Sequence, residues 1–312
     1  MSKKYKPLQT NNRTLKKLLT PPNTINCNPN NNNKKVVYGS CLSEDVLHIL
    51  KVNYNETNPY NQIISDNPRT IWKELKLRLK TCTNEDCWLN VISDPIQRNK
   101  LNQYLYVPRP LQPPKWITNK HYWLSNHDID HVLGEYEKSY SNFRAIPTAS
   151  IDFDNLCYIA DLCKLKNKEQ VQEYLNSGKT KIGVVINLDK FREDGSHWVS
   201  LFLDLQEGFI FYFDSIGDRI PKEIKKLVDR LKKHCKKLET PIELKEYNNY
   251  KVEHQKGNSE CGMYSLFFII TLLTGKINNI PFKSPEEKIE LFRQPRIPDS
   301  YVNQFRKIYF KE

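Results

Sequence analysis

The sequence predicts an α+β fold: a twisted mixed sheet packed on one buried helix, preceded by an extra, mainly helical N-terminal domain. Three observations carry this. A polar loop from Gln255 to Glu260 ends at Cys261 and runs into the apolar segment Met263–Ile270, which reads as a buried helix. Two runs rich in β-branched and aromatic residues, His197–Leu205 and Phe209–Ser215, are separated only by Gln206-Glu207-Gly208, the mark of an antiparallel hairpin. Ahead of residue 112 the readable elements are amphipathic helices.

Composition bounds the rest. A chain of 312 residues holds one large domain or two modest ones. Lys plus Arg number 48 against 36 Asp plus Glu, a net charge of +12, which suits acidic protein surfaces or nucleic acid as partners. The first residues show no apolar signal core, and the longest apolar run, after Cys261, is too short to cross a bilayer. Membrane insertion is therefore not expected. Eight cysteines without a secretory signal point to an intracellular, reducing compartment.

Residues 1–35 are rich in Lys, Asn and Pro and are expected to form a disordered basic tail. The N-terminal domain spans 36–112. Ser43 caps a helix with Val46, Leu47 and Leu50 inward. Ile71, Trp72, Leu75 and Leu79 form the inner stripe of a second, basic helix. Cys82 and Cys87, and Cys157 and Cys163, lack the CxxC spacing of a zinc knuckle and read as unliganded core cysteines. The segment from Val107 to Pro114, with prolines at 108, 110, 113 and 114, marks the boundary.

The larger C-terminal domain, 113–312, opens with Trp123-Leu124-Ser125-Asn126, capping a helix with Ile129, Val132, Leu133 and Tyr136 on its inner face. On that helix His127-Asp128-Ile129-Asp130-His131 reads as a solvated face rather than a metal site. A helix follows at Glu169–Leu175 and a buried strand at Ile182–Leu188. Pro221 opens a helix with Ile224, Leu227, Val228, Leu231 and Leu238 inward. Its outer face carries Lys222, Lys225, Lys226, Lys232, Lys233, Lys236 and Lys237: a solvated face, or a dock for an acidic partner. Ile242–Tyr247 is a strand, and the tail beyond Pro281 is expected to pack along the domain surface.

The candidate chemistry gathers at the two ends of this domain. Cys261 at a helix N-terminus sits where unpaired N–H groups favour a thiolate, the attacking form. Gly262 leaves the approach to the sulfur open. Gln255, six residues earlier, can aim an amide N–H, with the Cys261 backbone N–H, at a developing oxyanion. A hairpin turn centred near Gln206 and Glu207 folds Asp214 back beside Val199 and close to His197, where a carboxylate fixes the imidazole tautomer. Asp204 is a rival acid but falls at the far end of the hairpin. Cys41 is a rival nucleophile near a helix start, without an oxyanion donor.

His197-Trp198, Asp214-Ser215, Gln255 and Cys261-Gly262, in that order, resemble the clan of SUMO and ubiquitin-like-protein proteases and adenovirus-type maturation proteases. Trp123-Leu124-Ser125-Asn126 resembles that family's Trp-Leu-Asn-Asp opening. The resemblance covers about residues 115–275. It implies a papain-like arrangement with Cys261 as nucleophile, His197 as base and then acid, Asp214 as orienter and Gln255 as oxyanion donor. It also implies that Trp123 and Trp198 form a narrow tunnel admitting only small residues, usually Gly-Gly, before the scissile bond. No metal or other cofactor is implied. The extra N-terminal region and the Gly195-Ser196-His197 lead-in look most like proteases of large cytoplasmic DNA viruses, asfarvirus-like or mimivirus-like.

The expected function is a cysteine endopeptidase that processes viral capsid or core precursor polyproteins in host cytoplasm and virion. The alternative is a deconjugating isopeptidase for SUMO or ubiquitin-like modifiers. The partner is a protein substrate, and the basic surface also admits nucleic acid. Two further readings fit less well. Acyl transfer lacks the surroundings of Trp198 and Gln255, and a non-enzymatic nucleic-acid binder leaves the catalytic set unexplained.

Overall fold

In the computed structural model the described residues are 25–31, 35–37, 39–293 and 296–311. The expected tail up to residue 24 lies outside them. Ile25 to Asn31 depart from the expected disorder. Ile25 is buried in the N-terminal core, and the Asn28 N–H donates to the Leu105 carbonyl.

The sheet is built on the strands β1 (Phe143–Ala145), β2 (Ala149–Ser150), β3 (Lys181–Asn187), β4 (Trp198–Asp204), β5 (Phe209–Phe213) and β6 (Lys245–Asn248). Their order is β1-β3-β4-β5-β6, with β2 also beside β3. The middle three strands run antiparallel, while β1, β2 and β6 run parallel to their neighbours, so the sheet is mixed. Alternation along the strands explains the layers. Phe202, Phe209, Phe211 and Phe213 face one core with the helix Cys261–Thr274. Val199, Leu201, Leu203, Ile210 and Tyr212 face the other, under the helix Lys222–Cys235.

The Cys261–Thr274 helix is buried from Cys261 through Leu273. Each large apolar side chain so buried contributes about 1.5–3 kcal/mol. The helix lies so close to the sheet that a Cβ at Gly183 would come within 2.9 Å of Ile269 Cγ2. Gly275, at φ +63°, ends it in the left-handed conformation that glycine adopts without strain.

The N-terminal helices Glu44–Thr57, Pro68–Arg78 and Pro95–Leu105 surround a separate core of Leu47, Leu50, Ile71, Leu75, Trp88 and Leu105. Core membership changes over between Tyr106 and Val107. Ser43 stands at its helix start but makes no capping bond, whereas Asn67 caps Pro68–Arg78 through the N–H groups of Arg69 and Thr70. The two parts are tied together by Asn26 Nδ2 donating to the Tyr136 hydroxyl and by Arg109, which binds Asp86 on one side and the Lys307 carbonyl on the other.

Two expectations fail here. Cys82–Cys87 and Cys157–Cys163 are disulfides, not separate core thiols; their Cα atoms stand 5.5 and 5.0 Å apart, within bridging range. With Cys27–Cys41 they leave only Cys235 and Cys261 free, so cysteine usage gives no support to a reducing compartment. The tail beyond Pro281 is also not a surface wrapping. Helices at Pro285–Arg293, Asp299–Val302 and Arg306–Tyr309, with the 3₁₀ turn Asn303–Phe305, deliver Phe292, Tyr301, Phe305 and Tyr309 into the main core, where Phe292 meets Phe211, Phe267 and Phe268. No helix among the described residues is long and apolar enough to cross a membrane.

Candidate active site

His197 immediately precedes β4, its carbonyl taking the Leu188 N–H. The β4–β5 register pairs Ser200 with Phe213, so the chain brings Asp214 beside Val199, as the turn position predicts. His197 Nε2 lies 2.7 Å from Asp214 Oδ1. That oxygen also accepts the Ile216 N–H at 3.0 Å, while Oδ2 is buried with no hydrogen-bond partner among the described residues. The only cation paired with this buried carboxylate among the described residues is thus the imidazole. Burial is the largest single influence on the ring and lowers its pKa. Hydrogen bonds and charge from Asp214 and Cys261 outweigh it and raise the value to about 10. At neutral pH the ring is an imidazolium. With Nε2 committed to Asp214, Nδ1 is the nitrogen left for the sulfur.

Cys261 is the first residue of its helix and is only 2% exposed. The preceding Glu260 turns its carboxylate away to accept from Ser259 N and Oγ and from Asn303 Nδ2. The other free cysteine, Cys235, is an instructive contrast: burial alone pushes its pKa up to about 12, so it stays an inert thiol. Gln255 is buried beside the acid strand. Its Oε1 accepts from Ser215 Oγ at 2.7 Å, and its Nε2 donates to the Gly257 carbonyl at 2.8 Å. One of its two amide N–H bonds is therefore spoken for, and the second is the one an oxyanion can use.

Trp123 and Trp198 line the same cleft, of about 730 Å³, opposite the loop Asp189–Gly195. Trp123 is 40% exposed and Trp198 only 9%. The Trp198 indole donates to the Leu124 carbonyl at 3.1 Å, which locks one wall to the other. Gly262 does something the sequence did not suggest. It lets Leu124 seat on the helix, since a Cβ there would stand 3.0 Å from Leu124 Cβ.

The rivals fall away. Cys41 is bonded to Cys27. Asp204 sits at the far end of the hairpin, bound to Lys181 Nζ and to the N–H groups of Gln206 and Glu207. On the helix Asn126–Ser139, Asp130 binds Thr148 through its backbone and hydroxyl, and no group of three or more His, Cys, Asp or Glu among the described residues is arranged for a metal. Asn249 and Ser215, which brace Asp214 and Gln255, were not singled out by spacing. Both act through side-chain bonds across more than thirty residues, and no local pattern announces that.

Residues 161–311 match the Ulp1 protease family, C-terminal catalytic domain. A protein of Acanthamoeba polyphaga mimivirus named as a thiol protease is 31% identical over 189 residues, 61% of this chain and 57% of that protein. The chain thus spans little more than half the length of that relative. A cysteine protease of African swine fever virus is 28% identical over 198 residues, 60% of this chain and 67% of the relative. A crystal structure of the African swine fever virus protease superposes with a TM-score of 0.53 at 22% identity, covering 94% of this chain and 97% of that one. The fold, N-terminal helical region included, is shared with that protease. Through residues 161–311 the chain is thus similar to the catalytic domain of the Ulp1 protease family.

Proposed function

We propose that the chain is a cysteine endopeptidase that cuts viral structural precursor polyproteins after Gly-Gly or Gly-X motifs, in the cytoplasm of the infected cell and in the virion. The observation that carries this is the arrangement of His197, with Nε2 on Asp214 at 2.7 Å and its opposite edge toward Cys261. The sulfur attacks the scissile carbonyl with its proton already held on Nδ1 of the imidazolium. The oxyanion collects the Cys261 N–H and the second N–H of Gln255. The imidazolium then protonates the leaving amine, and water, deprotonated by the same ring, releases the acyl group from the sulfur. Trp123 and Trp198 line one cleft, which supports a substrate strand passing between aromatic walls that favour small residues before the cut. The test is a peptide-library cleavage profile run beside Cys261→Ser. Cleavage confined to Gly-Gly-like sites, and lost in the variant, is expected; full cleavage by the variant overturns the proposal.

Names of relatives favour one second substrate class. Proteins of African swine fever virus matching this chain are also named as SUMO-1 cysteine proteases, so ubiquitin-like conjugates are the alternative. A SUMO or ubiquitin vinyl probe that labels Cys261 faster than a Gly-Gly peptide probe favours it.

The basic surface supports nucleic acid as a further partner. On the helix Lys222–Cys235, exposed Lys222, Lys226 and Lys233 line a shallow hollow of about 600 Å³, beside Arg230, which is held by Asp154. Binding should weaken steeply with salt, and charge reversal at Lys226 and Lys233 should flatten the salt slope by about 2. Salt-independent binding would count against it.

A further inference from the structure

The Asp214 carboxylate meets its histidine only if the main chain at 214 is held still. That residue lies just past the end of β5, whose parallel pairing with β6 stops at Tyr212 and Asn248. Beyond it a side chain takes over. Asn249, 1% exposed, accepts the Asp214 N–H on Oδ1 at 2.9 Å and donates from Nδ2 to the Asp214 carbonyl at 2.6 Å. One amide thus pairs both polar groups of one peptide residue, as a neighbouring strand would. The same Nδ2 donates to the Val252 carbonyl at 3.1 Å, and the Val252 N–H returns to the Asn249 carbonyl, so the amide is itself fixed.

We infer that Asn249 is a positioning residue for the Asp214–His197 pair. The inference rests on the cysteine-peptidase reading of this site. Asn249 touches neither the reacting atoms nor the imidazole; it acts through Asp214. The turn it grips is otherwise held by few bonds: Gly217 N–H to the Asp214 carbonyl, Lys251 N–H to the Gly217 carbonyl, and the N–H groups of His254 and Gln255 to the Ser215 carbonyl. Gln255 therefore hangs from the same turn. A loosened Asn249 displaces acid and oxyanion donor together, which a loss of either alone would not do.

The experiment compares Asn249→Ala and Asn249→Ser with the unaltered chain. A serine hydroxyl retains one of the two bonds at a time, so the effects should be graded. Peptide cleavage is measured across pH, and the His197 ring is titrated by ¹⁵N–¹H NMR. We expect kcat to fall about 10- to 100-fold in the alanine variant with KM within about twofold. We also expect the His197 titration and the alkaline limb of kcat/KM to move down by about one pH unit, with the serine variant between. A residue that merely closes the loop would lower the melting temperature and the folded fraction but leave the ring titration of the folded protein in place. That outcome overturns the inference. If Asn249→Ala does not fold, Asn249→Ser carries the same titration test. Because the NMR readout needs no substrate, failure of the peptidase reading, seen as full cleavage by Cys261→Ser, is separable from failure here.

Discussion

Replacing Asp214 with asparagine should disable the site by moving one proton. In the folded protein the His197 ring is raised from 6.5 to about 10 against the pull of its own burial. Taken whole, that 3.5-unit rise corresponds to up to about 5 kcal/mol of preference for the charged ring. The asparagine amide keeps the shape but not the charge. If its N–H₂ turns to Nε2, the neutral ring must carry its proton on Nδ1, toward the sulfur, where it cannot accept another. With the Asp214 charge gone, burial is opposed only by Cys261, and the ring pKa should drop by about 1–3 units. Turnover of a Gly-Gly peptide should fall by about 10²- to 10⁴-fold, the range spanned by lost orienting partners and lost triad carboxylates. The assay is kcat/KM across about pH 6 to 10.5, which brackets the His197 titration, with parallel iodoacetamide alkylation of Cys261. The alkaline limb should retreat from near pH 10. A variant whose alkaline limb stays where it was, with activity lowered only in proportion to folded protein, would refute the assignment of Asp214 as the charge that holds the ring.

Other perturbations separate the parts of the site. Linkage to His197 has a definite sign: a ring whose pKa is raised on folding contributes stability that is complete below about pH 6.5 and gone once pH passes about 10, so urea midpoints should decline across that window, and decline less in Asp214→Asn. Gly262→Ala should push Leu124 and the indole bonded to its carbonyl off the helix, raising KM severalfold while Cys261 alkylation stays near its original rate. Cys27→Ser should cost about 2–4 kcal/mol in chemical denaturation by opening the Cys27–Cys41 loop, without changing the rate of Cys261 alkylation. Tyr264→Phe should cost about 1–3 kcal/mol, because the buried hydroxyl lies within hydrogen-bond distance of the Ile297 carbonyl and Asp299, and its loss takes the donor from that carbonyl.

What was legible in the sequence was whatever a single segment decides. The hairpin is the clearest case. Strand composition on either side of a three-residue connection determines the register, and the register alone sends Asp214 back to His197. The helix after Cys261 was equally plain, since a run apolar on every side has nowhere to sit but a core. The cysteine pairs were misread because spacing addresses metal knuckles, while disulfide formation depends on whether the fold brings two Cα atoms within about 4.4–6.8 Å, which spacing does not reveal. The C-terminal segment misled for a related reason. Its prolines, mixed with Phe and Tyr, suggested a surface course, yet short helices turn Phe292, Tyr301 and Phe305 inward.

Asn249 shows where local reading must stop. In sequence it is one of two adjacent asparagines at the end of an edge strand, the composition of an ordinary turn. Its meaning comes from Asp214, 35 positions away, which needs a partner for both backbone groups at the point where the ladder gives out. A buried peptide left unpaired costs about 1–3 kcal/mol, so some group must supply those bonds. A main-chain strand would supply them too, but it would continue past 214 and close the space that the Asp214–Gly217 turn uses to reach Gln255. A side-chain amide ends the sheet and holds its last residue at once. The placement of the Asp214 carboxylate is therefore a property of where the sheet stops, a decision shared by β5, β6 and the loop after it, and no one of those segments contains it alone.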